Sequence, residues 1–536
     1  MQNSLEREEA YMGKKIKHMI ILILTAGITL CSFTGCGNGG HGSSGKRVEG
    51  LKYRGQDVSE PVELTMYLIG EKAADFDKVY DEVNKILREK VNAVLNVKYL
   101  SWDKVDTNYS LLFSSGEDFD MIFTASGWGY YESTVAKNGF YAMDEEFRKT
   151  YAPDIQKLLP ETAWEQASIN GSVYMVPNYQ HEYGMEVIGI RGDLMEKYHY
   201  QDITTPEDLE AFLQEIAKNE KGISPMGTRS GGDLAGYFLY PDGYPLMGGP
   251  MCLLFTYNIN DQSDSRITYT VGTDDFMNYA KKMREFYTKG FWTSDTLSSA
   301  NSRSDSWEQG QSAVMSWNIG TISRLAREMN VAHPDWKATF VDPLSSSVKQ
   351  FNAYINNGVG INAASKNPER AMMVINELMT DKEVYDLTSL GIEGVHWEAA
   401  PDNTYKALAD ADKFPANGTC NWGWTNMNIR RNEYVENADP VYEKQMKTIE
   451  KWDAAAQEPH PYSTFSFNSE KVDIEVVNIS NVMSKYFDPI CAGLVDDPEK
   501  AVKELRIKLK KAGIEKVYQE IEKQTAEFWE KRHETK

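Results

Sequence analysis

Alternation between strand-like and helix-like segments constrains the fold of this chain more than any other feature. Apolar runs at 62–69, 94–100 and 119–123 indicate three buried strands, and amphipathic stretches at 75–90 and 102–113 indicate helices between them. This order is typical of a parallel, doubly wound sheet with helices on its faces. In such a sheet, ligands bind in the crevice at the carboxyl ends of the strands.

Length and charge narrow the class of protein. A single hydrophobic core rarely serves more than about 250–300 residues, so the 536 residues of this chain predict two lobes. The formal net charge of −22, from 57 Lys and Arg against 79 Asp and Glu, argues against nucleic acid and anionic membrane surfaces as partners. Cys252, Cys420 and Cys491 permit one disulfide and indicate none. No cofactor or metal motif occurs, so neither is expected.

The start of the chain has the pattern of a bacterial lipoprotein signal. Basic residues between Lys14 and Lys17 precede an apolar stretch, 19–33, that is too short to span a membrane. The phrase Phe33-Thr34-Gly35-Cys36 matches a lipobox except that Phe33 stands where Leu is usual. We therefore expect Cys36 to carry the lipid, which anchors the protein on the cell surface. An ordinary signal peptide with an incidental cysteine is the alternative.

Four phrases resemble the extracellular solute-binding proteins that serve ABC importers, the maltose-binding-like class. The run GINAASKNPERAMMVINELMTDKEV at 360–384 is similar to the second hinge crossing of that class. NGSVYMVPN at 170–178 resembles its first crossing, and AVMSWNIG at 313–320 resembles a strand and turn at the cleft. The tail LKKAGIEKV at 509–517 resembles a Gram-positive lipoprotein branch. The resemblance covers about residues 62–536.

The resemblance implies an α/β, two-lobed periplasmic-binding-protein-like (type II) fold, each lobe a mostly parallel sheet flanked by helices. Hinge crossings are expected near 177–186, 350–358 and 395–425. The expected parts are a signal peptide at 1–36 with Met12 as a candidate true start, a flexible tether at 37–61, a first lobe from 62–178 plus about 356–410, and a second lobe from about 186–350 plus about 411–536.

Candidate ligand-binding residues are aromatic and polar side chains in loops expected at the cleft. Aromatic rings can stack on the apolar faces of sugars while their edges stay in water. Trp317 and Asn318 form the strongest pair, one ring to stack and one amide to hydrogen-bond. The other candidates are Trp128, Tyr130, Tyr131, Tyr179, His181, Glu182, Arg229, Glu393, His396, Trp397, Trp422 and Trp424. For each ring the alternative is packing inside a lobe, and for Arg229 it is a surface salt bridge.

The function implied is that of a lipid-anchored receptor on the extracellular face of a Gram-positive-type cell membrane. It would capture a carbohydrate, with an oligosaccharide favoured by the 12 Trp and 30 Tyr residues, and deliver it to an ABC permease as a monomer. A receptor for a peptide or another small solute is the first alternative. A secreted glycoside hydrolase is the second, although no acidic residue stands in a recognisable catalytic phrase. His181 and Glu182 lack the second histidine of a metal site, so we predict no enzyme.

Overall fold

The computed structural model of the chain describes residues 47–534, with gaps at 103, 185, 228–233, 242, 248–250, 252, 299–302, 417–419, 436–438, 457–459 and 466. The predicted signal peptide, Cys36, the first part of the tether, Arg229 and Cys252 lie outside the described residues. The prediction that the tether extends to residue 61 is wrong, because residues 52–57 form a two-stranded pair and Tyr53 and Val58 are buried in the first core. All described residues belong to one compact unit, Gly45–Lys536. None of the described helices combines the length and the apolar character needed to cross a membrane.

The described strands are short and fall into several sheets. In chain order they are β1 Lys52–Tyr53, β2 Gln56–Asp57, β3 Val62–Ile69, β4 Ala93–Leu100, β5 Met121–Thr124, β6 Ser168–Ile169, β7 Ser172–Val173, β8 Met175–Pro177, β9 Glu186–Ile190, β10 Ser224–Met226, β11 Gly243–Pro245, β12 Phe255–Asn258, β13 Thr268–Tyr269, β14 Ser312–Asn318, β15 Thr339–Val341, β16 Gly358–Ile361, β17 Trp397–Ala400, β18 Thr404–Ala407 and β19 Asn432–Glu433.

Helices connect and cover these strands. In chain order the described α-helices are α1 Phe76–Val91, α2 Val105–Ser115, α3 Tyr131–Ala136, α4 Glu145–Tyr151, α5 Pro153–Leu158, α6 Glu161–Gln166, α7 Gly192–Lys197, α8 Pro206–Asn219, α9 Ala235–Phe238, α10 Asp274–Thr288, α11 Arg303–Glu308, α12 Ile319–Ala332, α13 Pro368–Thr380, α14 Lys382–Leu390, α15 Pro440–Ala455, α16 Asp473–Val482, α17 Asp488–Cys491, α18 Pro498–Ala512 and α19 Ile514–Glu534.

The first sheet has the strand order β4-β3-β5-β16-β8. β3 pairs in parallel with β4 over its whole length, from Val62 opposite Ala93 to Ile69 opposite Leu100, and in parallel with β5 on its other side. β16 is antiparallel to both of its neighbours. The three strands and the first helix predicted from hydrophobic patterning are confirmed, each boundary within two residues.

The second predicted helix begins later than expected. We predicted it from Trp102, whereas α2 runs from Val105 to Ser115. Because β4 ends at Leu100, Ser101 and Trp102 form part of the loop between strand and helix. The side chain of Trp102 is therefore presented at the carboxyl edge of the first sheet.

The second sheet, β10-β14-β9-β15, has the same arrangement. β10 and β14 are parallel, and β9 is antiparallel to both β14 and β15. Its two faces are covered by two separate clusters: Ile188 and Val314 lie in one, Val187 and Met315 in the other. The α/β class is confirmed. In each of the two sheets all strands but one point the same way, and the reversed strand makes its own pairings antiparallel.

Each reversed strand is the one that the chain enters directly after crossing from the other sheet. We call the two connecting stretches the first and second passages. β9 follows residues 178–184, which leave the first sheet, and β16 follows residues 349–357, which leave the second. A strand that arrives in this way enters at the edge where the resident strands end, and it must run against them. The carboxyl edge of β3, β4 and β5 therefore faces the second lobe, and the carboxyl edge of β10 and β14 faces the first.

Three extended segments lie side by side between the sheets. Tyr183 pairs with Phe351, and the Asn352 amide donates to the Glu182 carbonyl over 2.7 Å. A third segment flanks them, because the Tyr179 amide donates to the Thr425 carbonyl over 2.7 Å. This third segment lies at 425–427, whereas the third crossing was expected around 395–425.

The residues that follow 410 begin in the first lobe. Phe414, Cys420 and Trp424 are buried in the core that surrounds the first sheet, although we expected this stretch to open the second lobe. Cys491 is buried in the second core, and both described cysteines are free thiols. Their separate cores explain why Cys420 and Cys491 do not form a disulfide.

Gly358 allows β16 to fit against β8, and its replacement is expected to destabilise the protein. A Cβ at this position would lie 2.5 Å from the Val176 carbonyl oxygen and 2.3 Å from Cε of Met175. Overpacking of this kind costs about 1–3 kcal/mol, so Gly358→Ala is expected to lower the urea midpoint of unfolding. Gly236→Ala is the control, because no atom lies within 4 Å of its added Cβ. Equal midpoints for the two variants would contradict the prediction.

Candidate ligand-binding site

Three tryptophans gather at the edge of the first sheet that faces the second lobe. Trp102 follows β4, Trp128 follows β5, and Trp422 lies on a short 3-10 helix, Asn421–Trp424, beside β16. The ring centroids of Trp102 and Trp422 are 6.1 Å apart with an interplanar angle of 9°. Trp128 lies 6.2 Å from Trp102 and 5.9 Å from Trp422. We call these three residues the tryptophan cluster.

The tryptophan cluster is open to solvent although its members are among the largest apolar side chains. Trp102 is 54% exposed and Trp128 is 41% exposed, while Trp422 is half-buried. Exposed apolar surface of this kind has an unfavourable hydration free energy and marks binding sites. The cluster offers flat indole faces to an apolar ligand surface.

Trp422 is set in place by close packing beneath it. Its ring meets Phe123 edge to face at 4.8 Å. Gly423 allows this approach, because a Cβ there would lie 3.0 Å from the Phe123 ring and 3.2 Å from the Gly358 carbonyl oxygen. Phe123 is fully buried at the end of β5, so the cluster rests directly on the first core.

Trp128 is tied to the second passage between the lobes. Its indole Nε1 donates to the Asn356 carbonyl oxygen over 3.1 Å, and the Ser126 amide donates to the Ile355 carbonyl over 2.9 Å. The indole is therefore oriented by its nitrogen and remains available for stacking through its face. A change in the position of residues 355–356 would move Trp128 with it.

Glu132 supports the loop that carries Trp128. The Ser126 hydroxyl and the Gly127 amide both donate to its carboxylate. Burial raises the pKa of Glu132 above its usual range, and these two hydrogen bonds oppose the shift without cancelling it. Hydrogen bonds from the loop thus offset part of the desolvation free energy of the Glu132 carboxylate.

The two tyrosines predicted beside Trp128 pack within the first lobe. Tyr130 is half-buried, with its ring 4.5 Å from that of Tyr109. Tyr131 is fully buried, and its hydroxyl donates to the Ala167 carbonyl. Tyr131 lies on the inward face of α3, so the fold does not bring its ring to the tryptophan cluster.

The candidates on the first passage lie together. Tyr179 stacks on Tyr354 with centroids 6.2 Å apart, and the exposed ring of His181 lies 4.7 Å from Phe351. Although solvent reaches the side chain of Glu182, the surrounding protein reduces its hydration enough to raise its pKa. The charge of Arg430 and a hydrogen bond from Gln180 lower the pKa of Glu182 by less.

Trp317 and Asn318 end β14 at the facing edge of the second lobe. Trp317 is half-buried against the cluster that contains Met315. Asn318 is exposed, and its side-chain oxygen accepts a hydrogen bond from the Thr321 amide over 2.9 Å. That oxygen caps α12, a role that the pattern AVMSWNIG does not reveal by itself.

Three other candidates are buried inside the first lobe, and hydrogen bonds within the protein hold their side chains. His396 Nδ1 accepts from the Ile392 amide over 2.9 Å, and its Nε2 lies 3.1 Å from Asp75. Trp397 Nε1 donates to the Gly391 carbonyl over 2.9 Å. The indole of Trp424 donates to the Thr388 hydroxyl over 3.2 Å. Glu393 is exposed, and its carboxylate accepts from the Ala399 amide over 3.3 Å.

Trp102 joins the tryptophan cluster although it was not among the candidates predicted from the sequence. It was assigned to a predicted helix, although an aromatic residue directly after a strand of a doubly wound sheet is a signal for the ligand edge. Among the residues that the structure describes, no group of His, Cys, Asp or Glu side chains is arranged to hold a metal ion.

Comparison with known sequences gives one family model and one related protein. Residues 461–530 match a model described as a domain of unknown function, DUF3502. The chain is 28% identical over 518 residues to a carbohydrate ABC transporter substrate-binding protein of Streptococcus pneumoniae, covering 95% of this chain and 96% of that protein.

Solved structures share the architecture. The N-glycan transport solute-binding protein NgtS of Streptococcus pneumoniae matches with a TM-score of 0.71 and 25% identity over 88% of this chain and all of that one. Its complex with Man5GlcNAc matches with a TM-score of 0.67 and 26% identity over 88% of this chain and 99% of that one. The alginate-binding protein AlgQ2, at 14% identity, has a TM-score of 0.65 over 89% of this chain and all of that one, and supports the fold alone.

Replacing Glu132 is expected to change how stability depends on pH. Because its pKa is raised in the folded state, Glu132 favours folding at low pH, and this contribution is lost as pH rises through the raised pKa. As the pH rises above about 4.3, the ordinary pKa of a glutamate, the melting temperature of the wild type relative to Glu132→Gln should therefore fall. Glu146→Gln, at an exposed position of α4, is the matched control. A constant difference above this pH would contradict the prediction.

Proposed function

We propose that this protein, which has the two-lobed fold of solute-binding proteins, captures an oligosaccharide between its lobes for an ABC importer. The observation that carries the proposal is the tryptophan cluster at the edge that faces the second lobe. The relationship to a carbohydrate ABC transporter substrate-binding protein along 95% of the chain supports the same class of ligand. It also supports a role in binding and delivery, without catalysis.

The chemistry of the tryptophan cluster suits sugars. A pyranose ring has faces lined by C–H groups and a rim of hydroxyls, so an indole can cover a face while the rim stays hydrated. Ligand sites in proteins commonly combine such apolar walls with a few polar groups that fix orientation. His181, Glu182 and Asn318 are the polar side chains that we propose for this role, with Trp317 as the stacking partner on the second lobe.

Closure of the lobes would link capture to delivery. A ligand that contacts both lobes favours the closed arrangement only by its greater affinity for that arrangement. The tryptophan cluster is bonded to the second passage through Trp128 and Asn356, so a ligand stacked there contacts the loop that holds the first-lobe end of that passage. The permease subunits would recognise the closed form.

We further propose that the protein works on the outer surface of a Gram-positive-type cell, held by lipid on Cys36. The arrangement of a basic stretch, a short apolar stretch and a cysteine after small residues supports this location. Because Tyr53 and Val58 are buried in the first core, only the residues before β1, rich in Gly and Ser from Gly37 on, would act as the tether.

Alanine substitutions in the tryptophan cluster are expected to weaken sugar binding. Aromatic stacking contributes about 0.5–1.5 kcal/mol beyond buried area, so Trp102→Ala, Trp128→Ala and Trp422→Ala should each raise the Kd about 2- to 12-fold. Isothermal titration calorimetry with a mannose–N-acetylglucosamine oligosaccharide measures this. Trp336→Ala is the matched control: this half-buried tryptophan stacks on His333 before β15, at the opposite edge of the second sheet.

Titration with peptides, and a reducing-end assay on the glycan after incubation with the protein, test the competing functions. Binding of peptides without binding of any glycan would overturn the sugar assignment and leave the receptor role standing. Release of reducing ends from the glycan would contradict the receptor role and favour a glycoside hydrolase. If Trp128→Ala and Trp336→Ala bind the glycan with equal affinity, the proposal that the tryptophan cluster binds sugar is wrong.

Replacing Cys36 is expected to release the protein from the membrane. Two acyl chains give stable anchoring, and without the thiol no diacylglycerol can be attached. In a Gram-positive host, Cys36→Ser should move the protein from the detergent phase to the aqueous phase of a Triton X-114 partition. Cys491→Ser is the control, because that thiol is buried in the second core. Retention of Cys36→Ser in the detergent phase would contradict lipidation at this residue.

A further inference from the structure

The segment that matches the domain of unknown function buries its apolar side chains in the second core of the protein. Phe487 stacks on Phe276 with centroids 5.4 Å apart, and Tyr518 stacks on Phe255 at 5.6 Å. All the described buried apolar residues of this segment except Ala492 belong to that core: Tyr462, Val472, Ile479, Met483, Phe487, Ile490, Cys491, Val502, Leu505, Leu509, Ala512, Ile514, Val517 and Ile521. Residues 461–530 are therefore an integral part of the second lobe.

Hydrogen bonds join this segment to the rest of the second lobe. Trp292 Nε1 donates to the Ala492 carbonyl over 2.8 Å, and Arg506 Nε donates to the Val271 carbonyl over 2.8 Å. The Tyr462 hydroxyl donates to the Ser265 carbonyl over 2.7 Å. Buried polar groups that lose such partners are costly, so the segment is bound to its surroundings by specific contacts as well as by apolar area.

His460, the residue directly before this segment, holds the second passage between the lobes. Gln350 lies on that passage and is 5% exposed. Its Oε1 accepts from the His460 amide over 3.1 Å, and its Nε2 donates to the Tyr257 hydroxyl over 3.3 Å. Both ends of the Gln350 side chain are thus fixed by the second lobe.

His460 is itself immobilised. It is 0% exposed, with its ring 4.6 Å from that of Tyr257. Nδ1 accepts from the Tyr462 amide over 3.1 Å, which requires a neutral ring with its proton on Nε2, and Nε2 then donates to the Asp264 carbonyl over 3.2 Å. Burial lowers the pKa of His460 and so favours the same neutral form.

The neighbouring residue of the passage is fixed as well. The buried Lys349 Nζ donates to the Asp342 carboxylate over 3.0 Å and to the Leu344 carbonyl over 2.7 Å. Trp452 Nε1 donates to the same Asp342 carboxylate over 3.0 Å. Two consecutive residues, 349 and 350, are therefore attached to the second lobe before the passage leaves it.

The first lobe takes hold of the passage only at Tyr354. The Tyr354 amide donates to Gln166 Oε1 over 2.6 Å, and the carbonyls of Ile355 and Asn356 accept from the Trp128 loop. Residues 351–353 lie between these attachments and are all half-buried. Among them, Asn352 Oδ1 accepts from the Tyr244 hydroxyl of the second lobe over 3.3 Å. Their partner on the first passage is the stretch from Glu182 to Gly184, through the pairing of Tyr183 with Phe351.

We propose that the C-terminal segment 461–530 serves as the second-lobe anchor of the hinge. Tyr462 and Trp529 of that segment contact His460, which in turn holds Gln350, and bending of the second passage is therefore confined to the residues that follow Gln350. This role concerns how the lobes move and does not depend on which ligand they enclose. It gives residues 461–530 a part in hinge movement.

Amide hydrogen exchange of the full chain without ligand tests the anchor. Gln350→Leu removes both hydrogen bonds of the side chain at similar volume and is expected to speed exchange of the peptide covering 349–353 at least tenfold. Gln524→Leu is the matched control, because its carboxamide is also bonded at both ends, to Asn468, within the same segment but away from the passage. The control should leave exchange at 349–353 unchanged.

Unchanged exchange at 349–353 in Gln350→Leu, or equal acceleration in Gln524→Leu, would overturn the proposal. Tyr257→Phe, which removes one hydroxyl from the same contact, keeps the test available if Gln350→Leu fails to fold, and it should accelerate exchange in the same peptide. Because no ligand is present, the outcome does not depend on whether the protein binds sugar.

Discussion

The passages between the lobes are the constraint on which the rest of the structure depends. β16 lies between β5 and β8, and β9 lies between β14 and β15, so each sheet has an interior strand supplied by the chain as it returns from the other lobe. Neither sheet is continuous without that strand. The two lobes therefore cannot be separated into independent units, and their relative position is set by the short extended segments that join them.

The same constraint determines where a ligand can bind. The reversed strands place the carboxyl edges of both sheets opposite each other, and the loops at those edges carry the exposed indoles of Trp102 and Trp128. An oligosaccharide bound there would contact the lobe that carries the tryptophan cluster and, through Trp128, the second passage. The loop after β5 thus takes part both in the proposed ligand binding and in the connection between the lobes, because it is hydrogen-bonded to the segment that enters β16.

Hydrophobic patterning predicted the regular elements well and the site less well. The run 62–69 and the helix after it are locally determined, because their apolar residues repeat with the period of the element they form. Trp422 and Trp424 show the limit: they are two residues apart in one short helix, yet one faces solvent and the other donates to Thr388 inside the core. Which of them faces out depends on how Gly423 fits against Phe123, and no local pattern records that contact. The bonds from Gln350 to Tyr257 and His460 are equally invisible, because their partners lie about a hundred residues away in the chain.

The dependence of the second core on residues 461–530 has a consequence for the order in which the molecule can be completed. Strands β9 to β15 are synthesised long before α18 and α19, but the rings on which Phe255 and Phe276 stack, those of Tyr518 and Phe487, emerge near the end. The first core likewise cannot be completed before Val359 and Trp424 have been synthesised. A growing chain of this protein therefore stays without a finished core in either lobe until most of it has been made. An unfinished core suits the export proposed for this protein, because the chain stays open while it awaits passage through the membrane.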